Sequence, residues 1–197
     1  MSKSDPSASK KERNKTIRWV VIIFLVTILV SGTISFVSDA IMSVSTMAVA
    51  FLILLAIVLV GIVFDVIGVA VTSADEKPFH SMAARKVPGA QDSIRLLRNA
   101  ERVSSICNDV VGDICGVVSG SASATIAAQL LQNFTFSWPQ LVGLFMSALV
   151  AGLTVGGKAI GKTFAIGSCT SIVQGVGKVI WALRHWPELF RSARKRK

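Results

Sequence analysis

Asp65, Asp113 and Lys158 each stand inside a different long apolar run of the chain. A charged side chain at the centre of a bilayer-spanning helix costs on the order of 2.5–3.5 kcal/mol on insertion scales, so such residues face a protein interior or a watery cavity and find partners there. Two carboxylates and one ammonium on three separate runs therefore predict a single buried cluster. Its chemistry would be cation binding by carboxylate oxygens, proton relay, or mutual neutralisation. Asp109 and Lys162 lie one helical turn from Asp113 and Lys158 and could form a second layer of the same cluster.

The elements that must position these residues follow from composition. Hydrophobic residues make up 52% of the sequence and the mean hydropathy is +0.62, beyond an ordinary soluble domain. The net charge of +10 is concentrated at the ends. Lys3, Lys10, Lys11, Arg13, Lys15 and Arg18 crowd one tail, and Arg191, Arg194, Lys195, Arg196 and Lys197 the other. That placement fits the positive-inside rule and argues against a nucleic-acid partner. Cys107, Cys115 and Cys169 have no zinc or disulfide spacing, and His80 and His185 are too far apart to suggest a ligand pair.

The pattern predicts an all-α integral membrane protein with about four transmembrane helices and juxtamembrane amphipathic helices. A basic cytoplasmic tail over 1–16 leads into an uncleaved first span over 17–38. Further spans are expected over 45–74, 103–131 and 141–165. The polar segment 75–102 carries Lys77, Arg85, Lys86, Arg95, Arg98 and Arg102. It therefore belongs on the same side as the tails, which puts both termini in the cytoplasm, with the plasma membrane as the expected location. Ser93 to Val103 reads as an amphipathic helix leading into the third span. Over 166–185, Ile166, Ile172, Val173, Val176, Val179, Ile180 and Leu183 suggest a helix lying on the membrane surface. Gly167, Gly175 and Gly177 weaken that reading. A fifth span is the alternative, but it would carry the basic tail over 186–197 outside. Trp138, Trp181 and Trp186 suit interface level, and the basic tails suit anionic lipid.

Gly112, Gly116 and Gly120 recur every fourth residue on the third span, as do Gly152, Gly156, Gly157 and Gly161, nearly so, on the fourth. Small residues at this spacing predict close helix packing, and Asp113 beside Gly112 is expected to point into that packing. At about 1.5 Å rise per residue, Asp65 lies about 14 Å from the inner end of its span and Asp113 about 15 Å from its own. Lys158 is shallower, but its flexible stem could reach both acids.

The segment Gly68-Val-Ala-Val-Thr-Ser, then Phe79-His80 and Gly89-Ala90, then Ser93-Ile-Arg-Leu-Leu-Arg98, resembles the transmembrane domain of the CNNM/CorC/CorB family over about residues 45–185. That resemblance implies a CNNM domain preceded by an added helix, a role in Mg²⁺ or Co²⁺ transport, and a homodimer. The family's Ser-Gly-Ser-Glu-Thr-Ala motif would fall on Asp65 to Ala70, its Gly-Asn on Gly112-Asp113, and its Gly-Glu-x-x-Pro-Lys-Thr on Gly157 to Thr163. The family's oxygen ligands would thus be replaced by carboxylates at Asp65 and Asp113, the metal-ligand candidates here, and by an ammonium at Lys158. Lys has donors only and cannot ligate a cation. The expectation that follows is that Lys158 takes the place of Mg²⁺. The family's tandem CBS module does not follow the surface helix, so a separate cytoplasmic regulatory chain could supply that input.

Two functions follow. The first is ion transport of the CNNM/CorC kind with a substituted metal site and Mg²⁺ as its ion. The alternative is a non-transporting membrane scaffold or regulatory subunit held by the Asp/Lys cluster. An enzyme is not expected: the run from Gly152 to Thr163 lacks Walker spacing, and no His-Glu-x-x-His or Ser/His/Asp arrangement is present.

Overall fold

The computed structural model describes residues 6–135 and 137–194, and side chains over 17–42, 45–135 and 137–185. The cations of both tails, apart from Arg18, and the Trp186 ring lie outside the described side chains. Every regular element among the described residues is helical: α1 Pro6–Val44, α2 Met47–Ser73, α3 Lys77–Ala84, α4 Ala90–Arg98, α5 Ala100–Ser105, a π-helical segment Ile106–Gly112, α6 Asp113–Asn133, α7 Pro139–Gly167 and α8 Cys169–Arg194. Four stretches are long and apolar enough to cross a membrane: 17–42, α2, the continuous run Ala100–Asn133, and α7.

The punctuation is local chemistry. Pro78 and Pro139 sit in the first turns of α3 and α7, where the missing N–H costs no helical bond. The end of α3 is a Schellman cap: Lys86 N–H donates to the Ala83 carbonyl and Val87 N–H to Met82. Lys86 takes the left-handed position of that cap, at φ 56°, where glycine is the usual occupant. The conformation costs a side-chain-bearing residue about 1 kcal/mol or more.

α2 is the central post, packed on α6, α7 and the π segment, while α1 lies outermost and touches α6. Two apolar clusters hold the bundle. At one end Met42, Ala50, Leu54, Val58, Ala122, Ile126, Met146 and Val150 join α1, α2, α6 and α7. At the other, Ala70, Val71, Phe79, Ala165 and Val173 tie the ends of α2 and α7 to α3 and α8. Large side chains such as Phe24, Leu29, Phe36, Leu52, Leu144, Phe145 and Ile160 point outward. That outer surface is what a hydrocarbon environment requires.

Several expectations need correction. The first helix runs to Val44 rather than ending at 38. The expected helix from Ser93 to Val103 is broken at Asn99 into α4 and α5. On α8 the protein-facing side is Val173 and Gly177, with Ile172, Val176 and Ile180 partly covered, whereas Val179 and Leu183 are exposed; Ile166, expected on the same face, belongs to the end of α7 and is exposed there. Gly177, which had counted against the helix, is its closest approach to α4: a Cβ there would strike Ser93 Oγ, and the Gly89 carbonyl oxygen at 2.6 Å. The glycine ridges also divide. Gly112, Gly157 and Gly161 have close neighbours, but Gly116, Gly120, Gly152 and Gly156 have open space around them. A stripe spaced by four drifts about 40° per repeat on a helix of 3.6 residues per turn, so it leaves the contact face after one step.

Candidate functional site

The site lies along one face of α2. Gly61, Asp65 and Gly68 are all buried, at the alternating spacing of four and three that one helix face requires. Opposite them the run through the π segment descends in antiparallel order. A Cβ on Gly61 would lie 2.9 Å from Cys115 Cβ, a Cβ on Gly112 would lie 3.4 Å from Lys158 Nζ, and a Cβ on Gly68 would overlap the Asn108 amide. On a neighbouring face of α2, Ile62 and Val66 fill the space left by Gly157 and Gly161 of α7. Glycine on α2 and α7 permits this close approach, and Lys158 reaches from α7 past Gly112 to α2.

Lys158 Nζ stands 3.8 Å from Asp65 Oδ1, with side-chain exposures of 24% and 6%. The carboxylate is the more enclosed partner and the ammonium keeps some access to its surroundings. Asp65 Oδ2 is buried without a hydrogen-bond partner, and so is Asn108 Oδ1, whose amide nitrogen donates to Ser104 Oγ at 3.2 Å. An acceptor buried without a donor costs on the order of 1–3 kcal/mol. Two of them on the same α2–π-segment contact mark a place built to receive a donor or a positive charge. The π segment points the same way, since such wide turns are frequent at functional sites.

Of the predicted cluster, the fold brings together Asp65 and Lys158. Asp113, Asp109 and Lys162 are exposed, and none of them forms an ion pair within 4 Å among the described residues. Asp109 accepts a hydrogen bond from Ser105 Oγ at 2.7 Å. Asp113 misses the site because neighbouring residues on a helix point about 100° apart, so standing beside Gly112 places it on another face. The polar residue that does face α2 is Asn108, four positions before Gly112, and that spacing was its available signal. No group of three or more His, Cys, Asp or Glu side chains is placed to hold a metal among the described residues.

A second polar contact escaped the sequence reading. Ser121 Oγ donates to both oxygens of Asp39 at 3.3 Å, and Gln129 Nε2 donates to the Met42 carbonyl at 2.9 Å. Together they fasten the outermost helix to α6. Asp39 lies just past the expected end of the first span at 38, outside the apolar runs in which a charge signals a buried partner.

The Asn108–Gly68 contact makes a specific prediction. Gly68→Ala should destabilise the protein by about 1–3 kcal/mol through overpacking against the amide. Asn108→Ala in the same chain should recover most of that loss. Additive losses in thermal unfolding of the single and double variants would show that the two residues do not meet.

Fold and site together define an all-helical protein with four helices able to cross a membrane and an Asp–Lys ion pair between two of them, α2 and α7. No protein-family model matches the chain, and neither the curated proteins nor the solved structures contain a match.

Proposed function

We propose that this chain is an integral protein of the cell membrane with both termini cytoplasmic, related to CNNM/CorC-type proteins and concerned with divalent-cation transport. In this reading Lys158 holds an ammonium where the transported ion would otherwise sit. The observation that carries it is the Lys158 ammonium lying 3.8 Å from the buried Asp65 carboxylate, whose second oxygen has no donor, with the equally unsatisfied Asn108 Oδ1 against Gly68 one turn along α2. Carboxylate and amide oxygens are the ligands a hard cation such as Mg²⁺ takes. The tethered charge repels a second cation until it moves away, and its 24% exposure and flexible stem suit such movement. The groove between α6 and α7 lined by Gly116, Ser119, Gly120, Ser147, Ala151 and Thr154 is uncovered. We assign it to the second copy of a homodimer.

One observation favours the scaffold reading instead: the described residues include no group of three acidic, His or Cys side chains able to hold a metal. Mg²⁺-dependent thermal stabilisation of purified protein separates the two. Lys158→Glu is expected to gain stability with millimolar-range Mg²⁺ and the wild type to gain much less. Absence of any Mg²⁺ response in both proteins would overturn the transport reading and leave the ion pair as a structural tie.

A further inference from the structure

Away from the Asp65 site, the turn between α3 and α4 faces α8 across a cavity of about 300 Å³. Lys86, Gly89, Arg95, Trp181, Arg184 and His185 line it, with the buried Asp92 in its wall. Arg95 Nη1 and Arg184 Nη1 both donate to the same Asp92 oxygen, at 3.3 and 3.1 Å. One carboxylate thus serves two guanidinium groups, and with Lys86 the lining has three cations against one anion. Asp92 takes one N–H from each arginine, and both side chains are more than half exposed, leaving the rest of each five-donor fork open to the cavity side.

Three further features favour an anion here. Lys86 occupies the left-handed cap position, so a lysine is kept where glycine would be unstrained; strained residues of this kind concentrate at binding sites. The first turn of α4 borders the same cavity and its N-cap Gly89 offers no side-chain cap, so Asp92 is the one acidic group that answers the positive end of the helix there. Trp181 and His185 stack at 4.7 Å and form a flat wall on the α8 side.

We propose that this cavity binds a phosphate group, held by Lys86, Arg95 and Arg184. Planar guanidinium forks suit phosphate oxygens, and charge-assisted bonds of this type are about twice as strong as neutral ones. The same chemistry could come from the headgroup of an anionic lipid or from phosphate in solution. Trp181 at the rim suits headgroup level and favours the lipid. The site does not depend on the transport reading.

The test is thermal unfolding of the whole chain in neutral detergent, titrated with inorganic phosphate, with phosphatidic acid, or with phosphatidylcholine. Lys86→Gly removes one charge and also relieves the left-handed strain, so it should fold at least as well as wild type. The wild type is expected to be stabilised by phosphatidic acid and not by phosphatidylcholine, with affinity falling on the order of tenfold in Lys86→Gly and in Arg184→Gln. An equal response to inorganic phosphate would keep the site and assign it a soluble ligand. No response to either anion in the wild type, or an undiminished response in Lys86→Gly, would overturn the proposal.

Discussion

Lys158→Met should lower the stability of the detergent-solubilised protein by about 3 kcal/mol or more, the range seen when one partner of a buried ion pair is removed. For a chain of this size that corresponds to a fall in Tm on the order of 10 °C. The loss comes less from the missing attraction than from Asp65, which is 4% exposed and already has one oxygen without a partner. Asp65→Asn introduced beside Lys158→Met should restore most of the lost stability, because a neutral amide is far cheaper to bury than an unpaired carboxylate. An unchanged Tm for Lys158→Met, or a double variant no better than the single one, would show that the pair does not carry this energy. The rescue also separates a specific charge effect from loss of the lysine stem as packing.

The second large effect is expected at Gly89→Ala. Gly89 has φ 83°, and a Cβ there would lie 2.5 Å from the Lys178 nitrogen and 2.6 Å from the Gly177 carbonyl carbon. Neither neighbour is a flexible side-chain tip, so α4 and α8 would have to move apart. Left-handed strain and overpacking together predict a cost of about 2–5 kcal/mol. Ser93 Oγ, which donates to both the Gly89 and Val173 carbonyls at 3.1 Å, would lose its seat in the same movement. Gly175→Ala on α8 is the control, since that position has open space and alanine favours a helix. Thermal unfolding followed by Trp fluorescence should rank Gly89→Ala well below wild type and Gly175→Ala at or above it. Equal midpoints for all three would rule out the tight α4–α8 approach.

The apolar runs made the four long helices legible, because length and hydropathy need no knowledge of partners. Asp65 and Lys158 were legible as well, since a charge in such a run demands an interior position. Faces were harder to read. Asp113 has the right depth and the wrong azimuth, and Asn108 has the right azimuth but no formal charge to draw notice. The π segment left no mark in composition, because Ile106 to Gly112 reads as ordinary helix until its neighbours are known. The glycines split for a related reason: spacing says that a backbone can be approached, and only the partner helix decides where. Gly177 looked like a weakness in α8 and is the point at which α8 meets α4.

α7 and α8 are joined by the single residue Ser168, whose N–H donates to Phe164 and whose carbonyl accepts from Ile172. Such a joint contains no slack. Lys158 lies about 15 Å up α7 from it, at the helical rise per residue, and Gly177 lies a similar distance along α8. A displacement of α7 at the ion pair cannot be taken up in a loop. It must either bend the chain at Gly167 and Ser168 or be delivered, as through a crank, to the seam where α8 bears on α4.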